Sequence, residues 1–486
     1  MALHSLPVER LEKLNAQGRV PIRIGSSGWR AVLSHGFTTD NLYRVAQAIK
    51  ACGLDSKVII GYDTRFLSRQ YAVFLASLLK DRNNQVVVID DVCPTPTLAY
   101  VTKVHQMSLG LMVTSSHNPY YYNGLKFFEA SGRMIPRGVQ NRIEEEANRI
   151  QKIPSLQFPV TLPFGVESIG FPTEYLDGVL SCLDVAAIRS KKLRVVFDAI
   201  FGTSQFYFPT LLNLLGVSHQ GIDLGVSAEF GGRHPEPRSD TLDKLKQVVG
   251  SSNASLGLTT DPDGDRFGIV DEQGEYVDNN VVLALFAWYL MRKRHLKGLS
   301  VCTDNCSVLL RKVVKSEGLE LQEVPVGFAN IGEAFSAHSK PLAGYEESGG
   351  FALANHLYYK DGLLACLLVL EMVSVTGMSL FELLEKMREE FGTFIYKRFD
   401  IPLHRKDFKV FQQKLSADVI EKLWEAKCVD MTNISGEKYI FENDAWIMMR
   451  PSLTEPLIRV YAEATRMSHI QKLGHRIQKI LHQNSV

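Results

Sequence analysis

Short apolar runs alternate with amphipathic segments along most of the chain. Residues 57–63 form a β-branched run, and residues 68–81 follow with apolar side chains at helical spacing. The same alternation recurs downstream, with strand-like runs at 85–89, 193–198, 255–259 and 300–304 and helical patterns at 207–215 and 308–316. Such alternation predicts an α/β fold whose strands are mostly parallel.

Changes in composition divide the chain further. A length of 486 residues corresponds to roughly three domains of about 150 residues, and four are easily accommodated. A proline-containing stretch at 149–163 is typical of a linker, and a turn-rich stretch at 271–280 ends a second unit. Beyond Gly392 the pattern indicates an α+β unit, with strands at 396–402 and 439–450 and helices at 407–426 and 468–481. We predict domains at 1–155, 156–272, 273–391 and 392–486; the first three are similar in length, which suggests duplication.

Composition and charge exclude several classes of protein. The net charge of +1 argues against a nucleic acid as partner. Seven scattered cysteines without a C-x-x-C pair argue against a disulfide framework and a zinc site. The first thirteen residues are charged and lack the apolar core of a signal peptide, and the apolar run at 281–290 is too short to span a bilayer. We expect a cytoplasmic protein that has no membrane partner.

A hydroxyl-rich loop at 114–119 follows the apolar strand 109–113. Ser116 is therefore expected at the carboxyl end of a strand, where open α/β sheets bind ligands. Neither a G-x-S-x-G motif nor a Ser-His-Asp order surrounds it, which makes a hydrolase triad unfavourable. His117 fits either a catalytic role or a local hydrogen bond, and Lys126, on the next strand, could screen a phosphate and move a proton.

Three aspartates occupy alternate positions in a second loop, at Asp261, Asp263 and Asp265. Three close carboxylates need a cation, and hard oxygen ligands in a tight loop fit Mg²⁺. An EF-hand would match this spacing and Glu272, but it requires a glycine where Arg266 stands and helical flanks where strands are predicted. The sequence thus predicts a magnesium loop.

Three further loops carry groups that suit a phosphorylated sugar. The small-residue loop at 25–30 ends in Arg30, which could hold a phosphate. Glu346 and Ser348 precede two glycines and suit sugar hydroxyls, although a simple turn explains them equally well. The segment 450–459 concentrates guanidiniums and hydroxyls in the manner of a phosphate cradle, at Arg450, Ser452, Thr454 and Arg459.

Taken together, these loops resemble the α-D-phosphohexomutases. The similarity rests on Ser-Ser-His-Asn-Pro at 115–119, Asn-Gly-x-Lys at 123–126, and the loops at 261–266, 346–350 and 450–456, which occur in family order. The segment 230–237, with His-Pro-Glu-Pro at its end, is also similar to that family. The resemblance implies a four-domain, heart-shaped enzyme with three α/β domains of mixed sheets and a smaller C-terminal α+β domain.

The resemblance also implies a role for each loop. Ser116 would be carried as a phosphoserine, and it would hold Mg²⁺ together with Asp261, Asp263 and Asp265. Arg30, Lys126 and His117 would lie near proton transfer. The substrate would be bound by Arg266, Glu346, Ser348, Arg450, Ser452, Thr454 and Arg459. Two departures from the family pattern, Ala329 and Leu453, affect the sugar site and the phosphate loop respectively.

The implied reaction moves a phosphoryl group between the 1- and 6-positions of a hexose phosphate through a hexose 1,6-bisphosphate, which also serves as activator. The glutamate pair at 346–347 favours glucose or mannose over an amino sugar. A phosphoglucosamine mutase, a glucose 1,6-bisphosphate synthase and a non-catalytic sugar-phosphate binder stay open as alternatives. The expected partner is a small sugar phosphate, and the expected assembly is a monomer or homodimer.

Overall fold

The computed structural model describes residues 19–403, 407–451 and 457–483. Four sheets follow one another along the chain, each with its own helices, and the sheets of the first three units mix parallel and antiparallel strands. The α/β fold with an α+β unit at the end is therefore confirmed.

The first unit contains a seven-stranded sheet in the order β1-β2-β6-β5-β3-β4-β7. Its central strands are apolar and buried, as parallel strands covered on both faces must be. The last strand lies beyond the predicted boundary at 155 and pairs with β4 of this sheet. The elements are β1 (Ile24–Gly25), β2 (Gly28–Val32), α1 (Thr39–Ala51), β3 (Lys57–Tyr62), α2 (Ser68–Leu79), β4 (Gln85–Ile89), α3 (Thr95–Val104), β5 (Leu109–Val113), β6 (Tyr122–Phe128), α4 (Arg137–Arg149) and β7 (Glu167–Ile169).

The second unit has a five-stranded sheet in the order β12-β11-β10-β8-β9. Its elements are α5 (Thr173–Ser181), α6 (Val185–Arg189), β8 (Arg194–Asp198), α7 (Ser204–Leu214), β9 (Ser218–Ile222), α8 (Asp243–Gly250), β10 (Leu256–Thr260), β11 (Phe267–Val270) and β12 (Tyr276–Val277).

The third unit has a four-stranded sheet in the order β14-β13-β15-β16. Its elements are α9 (Asn279–Trp288), β13 (Leu299–Thr303), α10 (Val308–Ser316), β14 (Leu321–Val324), α11 (Phe328–Ala337), β15 (Pro341–Glu346), β16 (Gly350–Leu353), α12 (Gly362–Thr376) and α13 (Leu380–Phe391).

The last unit is a five-stranded antiparallel sheet, ordered β17-β21-β20-β19-β18, with helices packed against it. The predicted helix at 407–426 is two helices in the structure, because the chain turns at 414–416, and the predicted strand segment at 439–450 folds back as two paired strands. The elements are β17 (Ile395–Ile401), α14 (Phe408–Gln413), α15 (Ala417–Trp424), β18 (Cys428–Asn433), β19 (Glu437–Phe441), β20 (Trp446–Pro451), β21 (Ile458–Ala464) and α16 (Met467–Gln483).

One structural motif recurs in the first three units. In each sheet a strand that pairs in parallel with one neighbour pairs antiparallel with the strand that follows it in sequence: β5 with β6, β10 with β11, and β15 with β16. The loops that join these pairs contain Ser116, the three aspartates and Ser348, respectively. The chemistry-bearing loops therefore occupy equivalent positions in three similar sheets, as duplication of one unit would produce.

The apolar helix α12 lies in the protein core. Twelve of its residues are buried, and the helix ends at Gly377, whose φ of 67° places it in the left-handed region that glycine adopts most easily. Among the described residues no single helix is long and apolar enough to cross a membrane, and α12 with α13 meets the length and composition test only as a pair bent by 82°.

A buried polar cluster connects the start of α12 to the other units. Asp361 caps α12 by accepting from Leu364 N at 2.9 Å, and it also accepts from the Tyr175 hydroxyl at 3.0 Å. His356 Nε2 lies 3.0 Å from the same carboxylate, and its carbonyl accepts from Lys103 at 2.7 Å. Burial alone would lower the pKa of His356, but its hydrogen bond to Asp361 raises that pKa to about 9. Hydrogen bonds of this cluster, which includes a charged histidine, thus connect the first three units.

We expect this cluster to make the protein less stable as the pH becomes alkaline. Because the folded pKa of His356 lies above the unfolded value of about 6.5, its contribution is fully present below that pH and is lost as pH rises towards about 9. Between pH 6.5 and about 9, the free energy of unfolding of the wild type should fall by roughly 3 kcal/mol more than that of His356→Gln. Thermal unfolding at several pH values would measure this difference. The matched variant His219→Gln, in the second sheet, should keep the wild-type pH dependence; identical profiles for wild type and His356→Gln would contradict the assignment.

Candidate active site

Ser116 lies directly after β5 and is held in an uncommon backbone conformation. Its φ of 51° is in the left-handed region, which side chains other than glycine adopt rarely. The loop is held by Arg65, whose guanidinium donates to the carbonyls of Ser116, Asn118, Pro119 and Tyr122. Arg65 is in turn paired with Asp63 at 3.2 Å. The strained loop is therefore fixed from the adjacent strand.

The Ser116 hydroxyl contacts two groups that can take its proton. Its Oγ donates to Asp261 Oδ2 at 2.7 Å and lies 3.3 Å from His117 Nδ1. Burial and the neighbouring Arg266 and Arg30 lower the pKa of His117 well below its usual value, so that the ring is neutral near pH 7. Contrary to the usual divergence of adjacent side chains, the neutral His117 ring lies beside the Ser116 hydroxyl.

The three aspartates form a compact group at the end of β10. One ligand atom from each lies within 4.8 Å of the others, and all three side chains are buried. Asp261 Oδ1 accepts from the backbone of Asp265 and Arg266 at 3.0 Å each. Within the described residues, Asp263 Oδ1 and Asp265 Oδ1 are buried without a hydrogen-bond partner. Unpartnered carboxylate oxygens in a buried group fit the ligand set of a divalent hard cation such as Mg²⁺.

The carboxylates of this group and the cations beside them strongly affect one another's pKa. Burial, together with Asp263 and Asp265, raises the pKa of Asp261 well above its usual value. Despite its burial, Lys126, Lys360 and Arg266 hold the pKa of Asp265 below its usual range. A cation among the three carboxylates would relieve the repulsion that Asp261 experiences.

The Lys126 side chain is hydrogen-bonded within the aspartate group. Its ammonium group lies 2.5 Å from Asp263 Oδ2, 2.5 Å from Asp265 Oδ2 and 3.2 Å from the Tyr359 hydroxyl, which accounts for all three of its N–H donors. Burial opposes its charge, but Asp263 and Asp265 outweigh that effect and raise the pKa of Lys126. Lys126 is thus a fixed positive charge within the group in this arrangement.

A cavity of about 100 Å³ reaches the serine loop at His117 and Asn118 and is lined by every unit of the chain. Larger clefts exist elsewhere, but this one is lined by more of the residues predicted to bind the substrate. Five arginines and three glutamates face it, and such an excess of positive charge suits a phosphorylated ligand. The charged residues are Arg30, Arg266, Arg398, Arg450, Arg459, Glu236, Glu346 and Glu347.

The structure brings most predicted substrate residues to this cavity. Arg30 donates to Asn118 Oδ1 at 2.6 Å beside the serine loop, and Arg450 donates to the Tyr461 hydroxyl at 2.9 Å. Glu346 accepts from Lys360 at 3.0 Å, and Ser348 follows at the turn of the hairpin. Ser452 and Thr454 lie outside the described residues, as does Leu453.

Sequence reasoning missed four charged residues of the site. Glu236 contacts Arg266 at 2.8 Å and Arg398 at 3.4 Å, and Arg65 and Lys360 support the serine loop and Glu346. A signal existed for two of them, because Arg65 lies in the loop that follows β3 and Lys360 precedes the apolar helix α12. Glu236 lies in the His-Pro-Glu-Pro segment singled out from the sequence, but nothing there assigned it a role. Arg398 comes from the C-terminal unit and carries no local pattern.

Models of four consecutive domain families match this chain. They are the phosphoglucomutase/phosphomannomutase domains I, II and III at residues 21–154, 173–274 and 278–391, and the C-terminal domain at 407–480. The chain belongs to the phosphoglucomutase/phosphomannomutase family. The resemblance to the α-D-phosphohexomutases is thereby confirmed.

Individual members of the family cover nearly the whole chain. A phosphoglucosamine mutase of Carboxydothermus hydrogenoformans is 29% identical over 90% of this chain and 94% of its own. A phosphoglucosamine/phosphogalactosamine mutase of Sulfurisphaera tokodaii is 27% identical over 94% and 98%. A crystal structure named "putative phosphomannomutase", from Thermus thermophilus, superposes with a TM-score of 0.82 at 28% identity and covers 96% of this chain and 100% of that one.

We expect Asp263→Asn to weaken Mg²⁺ binding and to lower kcat/KM about 100-fold or more, because one of three carboxylates loses its charge. Calorimetric titration with Mg²⁺ and steady-state kinetics would measure both effects. Asp271→Asn is the matched control, since Asp271 is also buried but accepts from the backbone of a turn at Gln273 and Glu275. An unchanged Mg²⁺ affinity in Asp263→Asn would refute the metal assignment.

Proposed function

We propose that this protein moves a phosphoryl group reversibly between the 1- and 6-positions of a hexose phosphate, with Ser116 as the carrier. The observation that supports this most is the position of the Ser116 hydroxyl, 2.7 Å from Asp261 in the aspartate group, next in sequence to His117, which lines the arginine-rich cavity. Phosphoryl transfer depends mainly on positioning and on neutralising charge, and both are provided here.

The transfer step is assigned to the residues around Ser116. The bond between phosphorus and Ser116 Oγ breaks as a sugar hydroxyl oxygen bonds to the phosphorus. The hydroxyl proton passes to the neutral ring of His117, which returns it to the departing Ser116 Oγ, so that the serine ends as a neutral hydroxyl. Arg30 and Lys126 offset the charge on the phosphoryl oxygens. Mg²⁺ bound by Asp261, Asp263 and Asp265 would supply further neutralisation of that charge.

The remaining residues bind the sugar and its second phosphate. Glu346 and Ser348 accept and donate hydrogen bonds to sugar hydroxyls, and Arg266 lines the same cavity and binds the substrate with them. Arg450 and Arg459, with Ser452 and Thr454, hold the phosphate that is not transferred. After the first transfer the hexose 1,6-bisphosphate reorients, so that its other phosphate returns to Ser116.

The relatives favour glucosamine phosphate over glucose or mannose phosphate as substrate, which reverses the preference expected from the glutamate pair. An acidic group in the cavity supports this choice. Glu236 and Glu346 form ion pairs with Arg266 and Lys360, whereas Glu347 accepts from the neutral amide of Asn305 at 3.1 Å. Burial raises the pKa of Glu347, and a substrate ammonium beside it would stabilise its charged form.

Glucose or mannose phosphate is the second candidate, supported by the description of the Thermus thermophilus structure. A coupled assay with Mg²⁺ and a trace of hexose 1,6-bisphosphate would compare the 1-phosphates of glucosamine, glucose and mannose. We expect at least a tenfold advantage in kcat/KM for glucosamine 1-phosphate. We also expect a cytoplasmic monomer or homodimer, as the sequence predicts.

Ser116→Ala should abolish turnover and the incorporation of labelled phosphate from hexose 1,6-bisphosphate, because the carrier oxygen is removed. Ser115→Ala is the matched control, and its neighbouring hydroxyl should be dispensable for labelling. Mass spectrometry of peptides from the labelled proteins would locate the phosphate. Undiminished labelling of Ser116→Ala would refute the carrier assignment.

Glu347→Gln should lower kcat/KM for glucosamine phosphate about tenfold, which corresponds to about 1.4 kcal/mol of lost charge interaction. The same variant should change kcat/KM for glucose phosphate less than about threefold, because a hydroxyl loses little when the carboxylate becomes an amide. Glu275→Gln, on an exposed turn, serves as control. Equal losses with both sugars would contradict a role for Glu347 in recognising the amino group.

A further inference from the structure

Tyr359 brings a hydroxyl from the third unit into the aspartate group. It lies between β16 and α12 and is 2% exposed. Its ring packs edge-on against Phe128 of the first unit at a centroid distance of 4.9 Å and against Phe328 at 5.9 Å. Its hydroxyl donates to Asp265 Oδ2 at 2.5 Å and accepts from Lys126 at 3.2 Å. The ring and the hydroxyl thus have separate partners.

The hydroxyl completes the hydrogen bonding of two residues of the group. Lys126 has three N–H donors, and its acceptors are Asp263 Oδ2, Asp265 Oδ2 and Tyr359. Asp265 Oδ2 accepts hydrogen bonds from both Lys126 and Tyr359. Its Oδ1 has no hydrogen bond within the described residues and lies 3.6 Å from Lys360 Nζ. One oxygen of Asp265 is therefore anchored, and the other stays available as a ligand atom.

We propose that Tyr359 is a positioning residue that orients Asp265 and Lys126 for metal binding and phosphoryl transfer. This inference rests on the proposed function, because the metal gives the orientation its purpose. Groups that hydrogen-bond to a metal ligand fix its orientation, and their loss typically reduces metal affinity or activity about 10- to 100-fold. Tyr359 belongs to the third unit, whereas Lys126 belongs to the first and Asp265 to the second.

Tyr359→Phe tests the hydroxyl alone, since the phenylalanine ring preserves the contacts with Phe128 and Phe328. Tyr358→Phe is the matched control, because Tyr358 is the preceding residue and packs against Phe335 at 5.4 Å, away from the aspartates. Three properties are measured for each protein: Mg²⁺ affinity by calorimetry on the unphosphorylated protein, kcat and KM separately, and the thermal midpoint.

We expect Tyr359→Phe to bind Mg²⁺ about tenfold more weakly and to lose at least tenfold in kcat, with KM for the sugar phosphate and the thermal midpoint unchanged. Tyr358→Phe should match the wild type in every property. An unchanged Mg²⁺ affinity and kcat in Tyr359→Phe would overturn the inference, as would a loss explained by a lowered thermal midpoint. A wild type without Mg²⁺ binding and without turnover would instead refute the proposed function.

Discussion

Three buried carboxylates in one loop impose an electrostatic cost that the surrounding units offset together. An unpaired charge in a protein interior is strongly destabilising, and removing one partner of a buried pair typically costs about 3–5 kcal/mol. The first unit contributes Lys126, the second Arg266, and the third Lys360 and the Tyr359 hydroxyl. The assembly of three sheets around the aspartates is thus coupled to their charge, and the same charge would attract a divalent cation.

In the arginine-lined cavity, by contrast with the aspartate group, positive side chains are in excess. Its arginines outnumber its glutamates, and Glu236 joins Arg266 of the metal loop to Arg398 of the C-terminal unit. Together with Arg398 and Arg238, Arg266 holds the pKa of Glu236 below its usual range in spite of burial. Arg398 of the last unit is therefore connected through one carboxylate to the aspartate loop, so that the proposed phosphate and metal sites would adjoin each other.

Much of this arrangement could be predicted from sequence, because it depends on local pattern. The strand before Ser116 is an apolar run, the strand before Asp261 begins with one at 256–258, and the polar loops after them stand out by contrast. The role of Tyr359 could not be predicted, since its partner Asp265 lies in another unit and Tyr359 belongs to no polar motif. Glu236 lies in a recognised segment, but its pairing with Arg266 depends on a distant loop. The segment 407–426 has helical periodicity throughout, but periodicity does not reveal the turn at 414–416 that divides it. The strand β7 was missed because only three residues of it pair with the sheet.

The backbone at Ser116 restricts which amino acid can serve there. Threonine offers the same hydroxyl chemistry, but its branched Cβ makes a φ of 51° a genuine outlier, whereas serine lacks that branch. The Arg65 contacts to four carbonyls of the loop leave the backbone little freedom to relax towards negative φ. The identity of the residue at this position is consequently dictated as much by the conformation of the chain as by the reactivity of the oxygen.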